Sequence, residues 1–554
     1  MLISAALLRA AQFIPVAEVS PGMKGYGLTC LRPGVPMRFD VEIVGVLTGF
    51  VPGLPVILAK IADPELEKTG VFAGMSGSPV YIGDRLLGAV AYTWSFLKDP
   101  MCGITPAEEM ARARPTANAR LTNSQYETLL TADSARAVSA LWPMNHAAAE
   151  DRPVFAPLAL HGGALPACLL PLFNGMGLVA AQGGGAGNDA PYPLEGGYPI
   201  GAALAWGDIS FFASGTITWR DGDHLYAFGH PLLGIAPAGF PLAEAHPLAV
   251  ISRLQSSFRI SNMGRILGSV DADTGAGISG LLGAAPRGIP VVLEIGGHVK
   301  KFWVADHPVI GPAFAAAGSV ALLQQELGGI LAGTAVVTVD IRSVDGPDFT
   351  ARECVSGPDA ADQLAGAILF YPLLLASNPW KEFRLKELHV AVSFRPEVEK
   401  AHVVSAETDR GVVEPGRKLR LHVRFRDREG ADAESWYDVT VPMGIPPDSL
   451  SLIVGAARDV EDLFRKAVPF KPKSFEGLLR LLETQRPQGD LMAVWKIARP
   501  SLLDEDRLYP GSAPDLITRL PDAQKLPFTL IRQVLDRKDI PLDGVEEIKL
   551  TVRN

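Results

Sequence analysis

Short apolar runs, each cut off by glycine or proline, recur along this chain and limit it to folds made mostly of short strands. Arg38–Leu47 (RFDVEIVGVL) and Leu54–Ala62 (LPVILAKIA) read as strands flanking a Val51-Pro52-Gly53 turn. Ser78–Tyr92 (SPVYIGDRLLGAVAY) reads as a hairpin closed by Gly83-Asp84. With 56 glycines and 45 prolines in 554 residues, both above average usage, the pattern of strands and turns extends well beyond one region. The length exceeds what one core can organise, so several domains are expected.

Residues 1–14 read as a remnant of a signal peptide, because Met1–Gln12 is apolar with small residues, although Arg9 interrupts it and no basic start precedes it. Residues 15–115 read as a serine-bearing β-barrel and 116–193 as a helical insert with a glycine-rich loop. A histidine-bearing β-barrel is expected over 194–300, a mixed α/β segment over 301–386 and a β-sandwich over 387–460. The sandwich expectation rests on the alternation in ELHVAVSF, KLRLHVRFRD and WYDVTVPM. Residues 461–554 read as an α+β cap. Leu364–Ala376 is apolar but too short to span a bilayer and contains Pro372, which favours a buried helix.

A formal charge of −9 without any basic cluster argues against nucleic acid as a partner. The cysteines, Cys30, Cys102, Cys168 and Cys354, form no C-x-x-C pair, so neither a structural zinc site nor a redox dithiol is expected. Scattered thiols suit the cytoplasm and an exported protein alike, so the expectation of export to the periplasm or cell envelope rests on the N-terminus. No cofactor or metal is implied. The glycine cluster after Gln182 lacks the lysine and helix of a phosphate loop.

Chemistry concentrates in Gly74-Met75-Ser76-Gly77-Ser78-Pro79. A serine hydroxyl becomes a nucleophile only when a base takes its proton and donors receive the developing oxyanion. Glycines let the backbone turn so that the N–H groups of Gly74 and Ser76 aim at one point, a pattern also found around the nucleophile of chymotrypsin-like proteases. An ordinary tight turn would use the same residues. Among the histidines, His230 stands at a Gly-His-Pro turn directly after an apolar strand. His224 lies in a polar turn and His246 in a loop, which makes both weaker bases. Tyr92, Trp94 and Phe96 follow the serine hairpin and would wall a specificity pocket or fill a core.

These residues carry a resemblance. DPELEKTGVFAGMSGSPVYIGDRLLGAVAYTW resembles the nucleophile region of the SpoIVB family of serine peptidases, and SGTITWRDGDHLYAFGHPLLG resembles that family's histidine region. GRILGSVDADTGAGISGLLG is similar to the segment that follows. The resemblance implies Ser76 as nucleophile, His230 as general base, and Asp63, shortly before the serine, as the acid orienting the imidazole. A turn aspartate before Pro64 is the competing reading. Asp273 is the runner-up acid, because in a two-barrel protease the acid usually comes from the histidine barrel. Asp208 is third.

In the family the histidine block precedes the serine block and follows a PDZ domain. Here the order is reversed and no PDZ-type carboxylate loop is visible, so the implied fold is two chymotrypsin-like β-barrels in permuted order. The implied activity is endopeptidase cleavage of a protein or peptide bound as an extended strand. A catalytically inactive scaffold with the same barrels is the alternative.

Overall fold

The computed structural model describes residues 13–114, 154–181, 191–504 and 523–553, with 126–127, 129–130 and 507–510, apart from breaks at 52, 95–96, 98, 156–157, 235–238, 255, 330, 446–449, 468–471 and 485–486. The remnant expected over 1–14 thus lies outside the described residues except for Phe13 and Ile14, which are buried. The chain is mainly β, with a closed barrel and several further sheets, as the strand-and-turn pattern implied.

The first barrel comprises β1 (Lys24–Thr29), β2 (Met37–Val51), β3 (Leu54–Ala62), β4 (Pro79–Ile82), β5 (Arg85–Thr93) and β6 (Met101–Pro106). Its neighbours run β1-β2-β3-β6-β5-β4, and β4 returns to β1 to close the ring. The β4–β5 turn is the two-residue Gly83-Asp84 turn, with Ile82 opposite Arg85 and Gly83 at φ +60°. Phe39, Ile57, Ile104, Met75 and Val90 fill this barrel's core. A short strand, β7 (Val154–Phe155), adds to the outside of β5 through Tyr92 and Thr93.

The second body is one sheet of thirteen strands. Two strands from the segment before it, β8 (Leu158–His161) and β9 (Leu178–Ala180), lie at one end. Next come β10 (Pro199–Gly207), β11 (Phe211–Asp221), β12 (His224–Ala227), β13 (Pro241–Ile251), β14 (Phe258–Thr274) and β15 (Gly277–Leu282). These close into a second ring, β10-β11-β12-β15-β14-β13, because β10 pairs with both β11 and β13. Numbered from each ring's own first strand, the two orders are identical. The sheet then continues through β16 (Gly288–Ile295), β17 (His298–Ala305), β18 (Gly333–Ser343), β19 (Phe349–Gly357) and β20 (Leu385–Arg395).

Two apolar helices, Ile310–Glu326 and Ala360–Ala376, pack on each other and on this sheet and share its core. Among the described residues no helix is long and apolar enough to cross a membrane.

The remaining strands form three sheets, a three-stranded one around Ser501–Asp504 and two larger ones that share a core. One holds Ala401–Thr408, Lys418–Asp427 and Asp432–Thr440; the other is centred on Leu450–Ala456. Leu450–Ala456 pairs with Asp490–Ile497 on one side and Val545–Val552 on the other, so pairing runs across residue 460.

Candidate active site

The serine turn joins β3 to β4 and the histidine turn joins β12 to β13, so both sit between the third and fourth strands of their rings. Gly74 and Gly77 adopt φ of +102° and +93°, which only glycine holds without strain. Any side chain at Gly77 would strike the other ring: a Cβ would lie 2.1 Å from the Thr216 carbonyl oxygen and 2.4 Å from Phe228 N.

Hydrogen bonds then stitch the turn to both rings. Gly77 N–H donates to Val90 O within its own barrel. From the second ring, Thr216 N–H donates to Ser76 O, and the hydroxyls of Thr216 and Thr218 donate to the carbonyls of Gly74 and Gly77. Ala73 exchanges backbone hydrogen bonds with Ser257 and Arg259 at the start of β14.

The histidine turn is built by strain. Phe228 is the one non-glycine residue with positive φ (+73°) among the described residues, and it is fully buried. Its carbonyl accepts from Ser76 Oγ at 2.7 Å, and Thr105 Oγ1 on β6 donates to the next carbonyl, Gly229 O, at 2.6 Å. The turn thereby brings His230 Nε2 to 2.5 Å from Ser76 Oγ. His230 Nδ1 lies 2.7 Å from Pro231 O; with a proton on Nδ1 donated to that carbonyl, Nε2 becomes the acceptor when the serine's single proton turns to it from Phe228 O.

The two leading acids part company here. Asp63 starts the helix Pro64–Thr69, its carboxylate accepting from Glu65 N and Leu66 N at 2.9 and 3.1 Å. The fold does not bring it to the His230 ring. Asp273, buried at the end of β14, accepts from the N–H groups of Leu232, Leu233 and Gly234 at 2.8–2.9 Å. It therefore grips the segment that carries His230. Asp208 accepts from Lys301 N on an exposed edge. His224 lies 4.0 Å from Asp271 at the surface, and buried His246 lies 3.5 Å from Glu244.

Ser78 is the other serine of the turn. Its hydroxyl donates to Met75 O at 2.6 Å and lies against Thr29 Oγ1, so it braces the turn from within. Neither Gly74 N–H nor Ser76 N–H finds an acceptor among the described residues. Both remain available for an oxyanion. Tyr92 is buried against Phe155, Trp94 is half-buried, and Phe96 lies outside the described residues.

Two features had no signal that pattern-reading could use. Phe155, on β7, stacks on the His230 ring with centroids 5.0 Å apart and planes 20° off parallel. Together with the barrels it closes the site, leaving Ser76 0% and His230 2% exposed. Arg259 lies fully buried behind Gly74. No group of histidine, cysteine or carboxylate side chains able to hold a metal occurs among the described residues.

Residues 12–110 match the family model described as SpoIVB peptidase S55, a span that contains the first barrel and Ser76 and ends before the second ring. No curated protein and no solved structure matches the chain.

Proposed function

From a first barrel of the SpoIVB peptidase type, we propose that this protein is a serine endopeptidase acting through an acyl-enzyme, with Ser76 as nucleophile and His230 as general base. The observation that carries the reading is the contact between Ser76 Oγ and His230 Nε2 across two rings of the same strand order. On this reading the rings are chymotrypsin-like barrels in permuted order. Ser76 Oγ attacks the peptide carbonyl carbon while its proton passes to His230 Nε2. The carbonyl oxygen becomes an oxyanion held by Gly74 and Ser76 N–H. Collapse of the adduct breaks the C–N bond, and Nε2 returns the proton to the leaving amine. Water, deprotonated by the same imidazole, then releases the acid.

Asp273 takes the acid's part in preference to Asp63, because its carboxylate holds the His230 turn in register. Asp63 serves the local helix. Substrate would enter as a strand along a barrel edge, which β7 already occupies beside Tyr92.

A second reading, a peptidase-fold scaffold without turnover, draws on the complete burial of Ser76. Labelling of the purified chain with a fluorophosphonate separates the two. We expect a label on wild type, none on Ser76→Ala, a loss of at least 100-fold in rate for His230→Ala, and only a several-fold loss for Ser78→Ala, whose hydroxyl braces the turn without taking part in the chemistry. A folded wild-type chain that takes no label, with or without added peptide, selects the scaffold.

A further inference from the structure

Arg259 is the least expected side chain in this fold. It is 0% exposed on β14, sharing a face with Ser261 and Met263, yet among the described residues no carboxylate lies within ion-pairing distance of it. Its guanidinium instead donates to two carbonyls, Nη1 to Cys30 O at 3.2 Å and Nη2 to Gly215 O at 2.6 Å, while Nε finds no partner. The titratable groups facing it are Cys30, His161 and Tyr192. Burial pushes the Cys30 thiol up to about 11 and the Tyr192 phenol upward as well, and lowers His161 to about 3. All three are therefore neutral around pH 7 and supply no counter-charge. Burial lowers Arg259 itself only to about 10, so it keeps its charge.

A buried cation without an anion is costly, and removing it in favour of an apolar side chain would ordinarily cost a fold nothing. Its position explains its presence. A methyl group added at Gly74 would lie 3.3 Å from each of Arg259 Cβ, Nε and Nη2, and Arg259 N–H donates to Ala73 O. The guanidinium thus backs the turn whose Gly74 and Ser76 N–H groups have no acceptor among the described residues. It also bridges the first barrel at Cys30 and the second ring at Gly215.

Resting on the serine-peptidase reading, we propose that Arg259 is a positioning residue for the oxyanion site, locking the Gly74 turn and supplying the positive field that an anionic tetrahedral adduct needs. It touches neither substrate nor serine; it acts through Gly74. The missing counter-anion is transient and forms with each acyl transfer.

The test uses phenylboronic acid on the full chain. Ser76 Oγ adds to trigonal boron and its proton passes to His230, giving a tetrahedral boronate that carries the negative charge of the oxyanion. We expect Arg259→Met to weaken phenylboronate binding at least 10-fold at pH 7 while keeping the wild-type circular dichroism spectrum, and Arg259→Lys to weaken it no more than about threefold. A Met variant that binds like wild type, or a Lys variant that loses as much as Met, overturns the proposal.

Should Arg259→Met not fold, the pH profile of the Lys variant decides. A buried ammonium sheds its proton well before a guanidinium, so boronate binding should fail at least one pH unit earlier than in wild type. Superimposable profiles overturn the proposal. Failure of the underlying reading looks different: a wild-type chain that takes neither phenylboronate nor the fluorophosphonate overturns the serine-peptidase assignment, and this inference with it.

Discussion

The two rings share one strand order and place their turns at the same point, yet they build those turns by different physics. The serine turn is written in small residues: Gly74 and Gly77 supply the positive φ, and Val90 of its own barrel with Thr216 and Thr218 of the second ring fix it. The histidine turn contains a strained phenylalanine, Phe228, and depends on a carboxylate 41 positions from its first backbone partner. The first barrel closes on itself around its own core, whereas the second ring is embedded in a larger sheet covered by two helices. A turn whose shape is set by its own glycines can be recognised in isolation; one that depends on a strained phenylalanine and a distant carboxylate cannot. The match to the SpoIVB peptidase model covers only the former.

The contrast can be broken most severely at Gly77. Gly77→Ala should cost more than about 3 kcal/mol and abolish fluorophosphonate labelling, because its Cβ would overlap Thr216 O and the backbone demands φ +93°. Thermal denaturation measures it, and a stable, reactive variant would refute the claim that the turn is glycine-defined.

Exchanging the two acids gives the next largest difference. Asp273→Asn should reduce labelling by about 100-fold, since an amide cannot serve three backbone donors as a carboxylate does. Asp63→Ala should cost about 1 kcal/mol, the worth of a helix cap, and leave labelling within twofold. The reverse ranking would return the acid's role to Asp63.

Acid should separate the rings themselves. His161 and His307 belong to the second body, and burial lowers both from 6.5 to about 3. The unfolded chain takes up these protons below about pH 6.5 while the folded chain does not. The stability they confer is therefore full above that pH and is lost as it falls toward 3. Each histidine withdraws about 1.4 kcal/mol for every pH unit crossed in that window. The first barrel contains no histidine. Hydrogen exchange between pH 7 and pH 4 should show the thirteen-stranded sheet losing protection before β1–β6, and simultaneous loss would contradict this asymmetry.

The smallest effect concerns the cover. Phe155→Ala removes the ring stacked on His230 and should raise the labelling rate a few-fold with little change in thermal stability. An unchanged or lower rate would mean that β7 supports the site more than it closes it.

Most of the fold's local grammar was legible. Leu54–Ala62, read from its apolar run, and Lys418–Asp427, read from its alternation, form strands with those bounds, and Leu364–Ala376 lies in a buried helix. Ser76 and His230 were legible as turn residues of unusual setting. Arg259 was not, because an arginine between Phe258 and Ile260 in an alternating strand normally points to water. The family resemblance points to Asp63 as the acid, shortly before the serine, whereas in the fold its carboxylate caps the helix Pro64–Thr69.

The sequence by itself determined what depends on neighbours a few positions away: strand periodicity and glycine turns. These follow from backbone sterics and the two-residue period of a strand. Only the tertiary structure decided that Ser76 and His230, 154 positions apart, share a hydrogen bond. It also decided that Asp273 holds the histidine turn, that Phe155 covers it and that Arg259 is buried behind Gly74. Those distances are set by how two closed sheets pack against each other, a property of buried surfaces that no short stretch of chain encodes.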